Sequence, residues 1–205
     1  MNKFSRYLIT ALLGSLSFLS SSHGDEPPSA TSWFLPRSLS DANAKISFKV
    51  DSTWHTVHGK TSGIIGKAWL SEPANPKSVS VQLEIPVSVF NTDNESRDEE
   101  LRDIMNEKEF HNVVFSAGGL RGNCTPEVTK AEGVCQDILH SELKIREVKK
   151  ELDIPITIHS EAEGFRVSGT LPVKWAEYNV EDPSIFVVAS VDPVVEIEFN
   201  ILLKK

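Results

Sequence analysis

The chain has 205 residues, 40% of them hydrophobic and 24% charged, and carries a formal net charge of −8. A net acidic balance argues against a nucleic-acid ligand and against adhesion to anionic headgroups, because both require positive charge. It leaves room for delivery of a lipid through a small, transient membrane contact.

The N-terminus reads as a secretory signal over residues 1–24. Lys3 and Arg6 supply a positive region, Leu8 to Leu19 an apolar one, and Ser20, Ser21 and Ser22 lead to Gly24, so that cleavage after Gly24 or after Ser22 satisfies the small-residue rule. The apolar run is too short for a comfortable membrane span, and no Cys stands at the junction to carry a lipid anchor. Loss of Lys3 and Arg6 without any acid takes the charge from −8 to −10. About 180 residues remain, enough for one domain with a substantial core. The expected location is the periplasm.

Residues 25–43 are rich in Pro, Ser and Ala around the island Trp33-Phe34-Leu35, a linker ending in a short first strand or edge segment. The domain proper is expected over 44–205. Ile46, Phe48, Val50 and Trp54 share one parity and Lys45, Ser47, Lys49 and Asp51 the other, the pattern of a half-buried antiparallel strand. Gly63 and Gly66 flank a turn or bulge, Ile64 to Leu70 form the next strand, and Glu72-Pro73-Ala74-Asn75-Pro76 marks a turn. Val79, Val81, Leu83, Ile85, Val87 and Val89 alternate again, with Pro86 implying an edge position or a bulge.

The alternation then breaks for the charged run Thr92 to Met105. Thr92 and Glu95 have capping-box spacing, and Leu101, Ile104 and Met105 fall at i, i+3, i+4, so a short helix is predicted with one apolar stripe facing the sheet. Its Asp98-Glu99-Glu100 cluster is assigned to the solvated face. Arg97 stands against the helix dipole and calls for a partner, Asp93 or a backbone carbonyl. Strands resume at Val113 and Phe115, at Leu139, Leu143 and Ile145, and, after a turn near Glu147, at Leu152 to Ile158, Phe165 to Trp175 and Val195 to Leu203. The economical reading is all-β: one antiparallel barrel of about eight strands with a short helix capping an end. Such barrels commonly hold something apolar, which favours a binding protein or carrier over an enzyme.

Cys124 and Cys135 flank a loop bearing Pro126 and Gly133, which in an oxidising compartment reads as one local disulfide. They lack the Cys-x-x-Cys spacing of a redox pair. No metal site is expected: three residues apart on a strand, His55 and His58 face opposite ways, and His111, His140 and His159 have no partner at ligand spacing. Gly59-Lys60-Thr61 has the tail of a phosphate-binding loop without its first glycine. Neither a catalytic motif nor a cofactor signature appears.

The segments Ile46-Ser47-Phe48-Lys49-Val50, Val57-His58-Gly59, Gly63 to Gly66, and Asn91-Thr92-Asp93-Asn94-Glu95-Ser96-Arg97-Asp98-Glu99-Glu100-Leu101, followed by a strand ending in Phe115, resemble the YceI-like family over roughly residues 44–203. Two features depart from that family: Phe110-His111-Asn112-Val113 has no Pro before the strand, and Ser141 to Glu147 lacks the two glycines of a hairpin. The resemblance implies a lipocalin-like barrel, an exported protein, and an isoprenoid lipid or quinone as ligand, held without a catalytic group. The lining it implies comprises Phe48, Val50, Trp54, Val81, Leu83, Phe115, Ile156, Val167, Leu171 and Phe199, with Leu101, Ile104 and Met105 over one end. The rivals are an interaction or stress protein with a solid core, and an enzyme for a hydrophobic substrate with His58 or His111 at the mouth.

Overall fold

The computed structural model describes residues 36–182 and 190–204; the signal segment 1–24 and the first part of the 25–43 linker lie outside the described residues. Ten strands run as β1 (Arg37–Leu39), β2 (Ala44–Asp51), β3 (Thr56–Lys60), β4 (Ile65–Leu70), β5 (Val79–Pro86), β6 (Asn112–Leu120), β7 (Val134–Ile145), β8 (Val148–Glu161), β9 (Gly164–Lys174) and β10 (Val194–Lys204). They form one antiparallel sheet in the order β1-β4-β5-β6-β7-β8-β9-β10-β2-β3. The sheet curls until β3 reaches the segment that follows β5: Lys60 and Asn91 exchange backbone hydrogen bonds of 2.9 and 3.0 Å. Close by, Asp41 accepts from the backbone N–H of Gly63 (2.8 Å) and Ile64 (3.0 Å), which holds the turn before β2 to the turn before β4.

The strand count exceeds the expected eight. β1 is the short edge segment expected at the end of the linker and pairs with β4, whereas β3, five residues long, is too short to show alternation and is recruited by pairing with β2. Pro86 is neither at an edge nor at a bulge; it is the last residue of β5, between β4 and β6, and a 3-10 turn over Val87–Val89 follows it.

Among the described residues two α-helices are present where one was expected. The first, α1 (Glu95–Ile104), is capped by Asn94, whose side chain accepts from Arg97 N, and not by Thr92. Thr92 lies too far upstream because Asp93 turns the chain through the left-handed region at φ +58. The second, α2 (Pro126–Glu132), fills the loop between the cysteines. Thr125 caps it with Pro126 in its first turn, and Gly133 ends it at φ +79, start and stop signals that were readable in the sequence. Cys124 and Cys135 form the expected disulfide across it, with Cα atoms 5.9 Å apart.

β8 and β9 part company along their length, and the reason is Pro155. Its partner on β7 is Ile138, whose carbonyl accepts from Arg121 N on the far side, so Pro155 directs its nitrogen toward β9. Proline has no N–H to donate. The β8–β9 ladder accordingly stops at Ile156 opposite Gly169, while β8 continues along β7 to Val148 and β9 along β10 to Lys174. Tyr178 and Val180, which follow β9, are buried in one cluster with Ile154, Leu171 and Val173 from the two diverging strands.

Reduction of Cys124–Cys135 is expected to remove about 3 kcal/mol of stability in the chain-entropy view. Thermal melts with and without a reductant should differ by about 5–10 °C; coincident melts would assign the loop's stability to α2 packing alone.

Candidate functional site, the inner face of the curled sheet

Alternation places one face of every strand inside. Cross-strand neighbours there are apolar: Ile46 opposite Phe199, Phe48 opposite Ile197, Val50 opposite Val57, Ile201 opposite Val167, and Phe115 between Leu83 and Leu143. Two inward positions carry glycine and seat an aromatic ring. Phe48 lies over Gly59, where any Cβ would collide with the ring, and Phe199 lies over Gly169, where a Cβ would stand 2.7 Å from its Cζ. The rings therefore lie against the wall rather than across the interior.

The inner face does not pack into one core. One buried cluster joins β6 to β9 with Val87, Met105, Tyr178 and Val180; a second joins Leu39, Ala44, Ile64, Ala68, Leu83 and Ile85. Val81, Phe90 and Phe115 touch both and stay half-buried. Ile46, Phe48, Val50, Val57, Val167, Ile197, Phe199 and Ile201, all inward in register, also keep part of their surface accessible. Phe48 packs with neither cluster; its ring meets Phe90 at 5.7 Å between centroids, tilted by 46°. A band of accessible apolar surface thus runs along the inside of β9, β10, β2 and β3 and includes Val81 and Phe115, which touch both packed regions.

The sequence-derived lining divides accordingly. Phe48, Val50, Val81, Phe115, Val167 and Phe199 belong to the half-buried band. Leu83, Ile156 and Leu171 point inward but are fully buried in the clusters, so they are packing. Trp54 is misplaced by the alternation: β2 ends at Asp51, and Trp54 sits at the β2–β3 tip, 72% exposed. Met105 is buried in the first cluster and Leu101 and Ile104 pack against it, the apolar stripe predicted for the helix. Ile46, Ile197 and Ile201 carry the same periodic signal as the chosen residues, whereas Phe90, Val57 and Tyr178 lie outside the long alternating runs.

Polar groups on the inner face are engaged with the fold. Asp137 accepts from the backbone N–H of Gly122 (2.6 Å), Ile138 (2.7 Å) and Cys124 (3.1 Å), and Ser141 Oγ donates to the Leu152 carbonyl. Lys150 pairs with Glu177 at 2.8 Å and lies above the Tyr178 ring, 5.9 Å from its centroid. Tyr178 itself is 2% exposed, and its hydroxyl meets no hydrogen-bond partner among the described residues. Burial, with a smaller push from Glu177, raises that phenol to about 12.

The histidines considered for chemistry face elsewhere. His58 is exposed opposite Lys49 on the outer face, and His111, also exposed, has its Nδ1 2.7 Å from the Glu107 carbonyl. His140 joins Asp153 (3.1 Å) and Arg121 in an outer-face cluster, where the Arg121 guanidinium, then His140, holds the Asp153 carboxyl below its usual range. Among the described residues no group of three or more His, Cys, Asp or Glu side chains is placed to hold a metal. A groove of about 620 Å³ crosses β7 to β10 and β2, its lining mixing polar Lys45, Gln136, Thr157 and Asn200 with apolar Ile156 and Phe199.

The closing helix is held by a network that the sequence concealed. Asp98 is 6% exposed, not solvated like Glu99 and Glu100, and its Oδ1 accepts from Thr92 N (2.8 Å) and Thr92 Oγ1 (2.5 Å). Arg97 donates from Nε to Thr92 Oγ1 and from Nη2 to the Thr92 carbonyl, both at 2.8 Å, while Asp93 pairs with Lys60. Thr92 is therefore the joint on which α1 is hung.

A sequence profile described as the YceI-like domain matches residues 38–203. The chain belongs to the YceI-like family. Its fold is shared with the crystal structure of BcnA from Burkholderia cenocepacia, at 17% identity and a TM-score of 0.65, covering 77% of this chain and 94% of that one. A polyisoprenoid-binding domain from Saccharophagus degradans, implicated in plant cell wall breakdown, aligns at 14% identity and a TM-score of 0.62, covering 82% and 97%. The YceI protein of Campylobacter jejuni aligns at 17% and 0.51, covering 70% and 84%. No curated protein sequence matches significantly.

Replacing Asp98 with Ala leaves the buried Thr92 N–H without its acceptor and is expected to cost about 1.5–3 kcal/mol. Thermal denaturation should show the loss, and amide exchange should accelerate across Glu95–Ile104 before the strands; uniform acceleration would deny the helix its separate hinge.

Proposed function

We propose that this YceI-like protein binds an isoprenoid lipid or quinone along the half-buried band of its inner face and serves in the periplasm as a carrier or scavenger. The observation that carries the reading is that band: apolar side chains pointing into a curled sheet, yet not consumed by packing against one another. Burial of a methylene contributes about 0.8 kcal/mol. About ten of them match the ~8 kcal/mol of micromolar affinity before the costs of ordering the chain, so such a ligand needs no catalytic or charged group. The polyisoprenoid-binding description of the Saccharophagus degradans domain supports the ligand class.

Export is supported by the charged and apolar pattern of residues 1–24 and by a disulfide that persists in an oxidising compartment. Among the described residues no helix is long and apolar enough to cross a membrane. With a net charge of −8, contact with anionic lipid is expected to be brief.

Phe48→Trp and Val167→Trp each add bulk to the band without adding charge. Both variants should fold, with melting points within a few degrees of wild type, and each should lower the lipid occupancy measured by organic extraction. Unchanged occupancy in both would place any bound lipid elsewhere and favour an interaction protein with a solid interior.

A further inference from the structure

A hollow of about 310 Å³ lies across β4 to β8 on the face opposite the apolar band. Two cross-strand rows of outward residues build it. Trp69, Ser80 and Gly118 are register neighbours in one, and Gln82, Ser116, Glu142 and Glu151 in the other. His140 joins them where the register of β6 against β7 shifts after Ala117. Inward-facing Val81, Ala117 and Ser141 complete the lining. The bulk stands at the ends: Trp69 on β4 at one, His140, Glu142 and Glu151 on β7 and β8 at the other. Between them Ser80, Ser116 and Gly118 keep the floor low, and a Cβ at Gly118 would meet nothing within 4 Å. Bulges of this kind are over-represented beside binding sites, where they re-aim side chains.

The side chains there are not committed to the fold. Trp69 packs with neither buried cluster and stays half-buried. Among the described residues the side chains of Ser80, Gln82, Ser116 and Glu151 make no hydrogen bond or ion pair. The nearby charges, by contrast, are matched: Lys149 pairs with Glu142 at 3.1 Å, and Lys67 Nζ covers one side of the indole, 5.3 Å from its centroid. We propose that this hollow is a second ligand site, taking a neutral saccharide with the C–H face of one sugar ring against Trp69. Its hydroxyls donate to Glu151 and exchange hydrogen bonds with Gln82 and Ser116, groups that between them donate and accept. A cation finds the indole face already held by Lys67 and Glu142 by Lys149. A polyanion would meet the directly opposed Glu142 and Glu151 on a chain of net charge −8. A wholly apolar ligand would strip water from Gln82 and Glu151 without replacing it. The site is independent of the lipid-binding reading, since it lies on the other side of the sheet.

The test follows the backbone amides of the purified protein by NMR while cellotriose, chitotriose or glucosamine trimer is added; the last keeps the sugar rings but is cationic. At least one of the two neutral trisaccharides should shift the amides of Ser80, Gln82, Ser116 and Gly118 at millimolar concentration. Trp69→Ala should weaken that binding about ten-fold, and Trp69→Phe less. Gly118→Val adds bulk only to the open floor; it should abolish the binding while the melting temperature and the lipid occupancy of the inner face hold. No shift with either neutral probe, shifts confined to the inner face, or unchanged affinity in Trp69→Ala and Gly118→Val overturns the site and leaves the lipid-binding reading standing. Tighter binding of glucosamine trimer overturns the neutral ligand.

Discussion

The exchange of backbone hydrogen bonds between Lys60 and Asn91 ties β3, at one edge of the curled ten-stranded sheet, to the segment that follows β5. An isolated sheet with so apolar a face would have to bury it against another layer. Here the face is turned toward itself, and the strand that closes it also carries Gly59, the seat of Phe48. Closure and the disposition of the inner rings are therefore set at one place. The same segment leads directly through Thr92 into α1, so the cap over the first cluster is hung from the seam as well.

Enclosure alone does not leave room inside. What does so is the uneven distribution of bulk. β7 presents Leu139, Leu143 and Ile145 to the interior, all buried, and the part of the barrel near it is filled with help from Met105, Tyr178 and Val180. On β2 and β10 the inward side chains are as apolar but face accessible surface, and Phe48 and Phe199 lie flat over glycines. Pro155 contributes from the other side: by ending the β8–β9 ladder it lets the chain beyond β9 turn inward and deliver Tyr178 to the interior.

The long strands were legible because a period of two is a local property. Val79 to Ile85, Leu139 to Ile145 and Val195 to Leu203 each show which face is inside without knowledge of a partner strand. β3 was not, since five residues carry too little alternation and are defined by their pairing, and β1 was legible only as a short edge segment at the end of the linker. Parity also cannot tell depth. Val81 and Leu83 share a face, yet Leu83 is in a packed cluster and Val81 is in the accessible band. Trp54 kept the parity of Val50 after the strand had ended. Asp98 looked like a solvated helix acid because its acceptor role depends on Thr92 folding back, and Tyr178 sits in a 3-10 turn with no periodicity to reveal that it points inward.

Family membership and fold agree with a binding protein, and the inner face offers accessible apolar surface. The most direct measurement is native mass spectrometry of the wild-type protein purified from the periplasm, followed by identification of what organic solvent extracts from it. A neutral prenyl lipid or quinone at near-stoichiometric occupancy is the predicted result. A clean ligand-free mass that persists after incubation with quinones would contradict the account and leave a closed barrel whose partners are proteins.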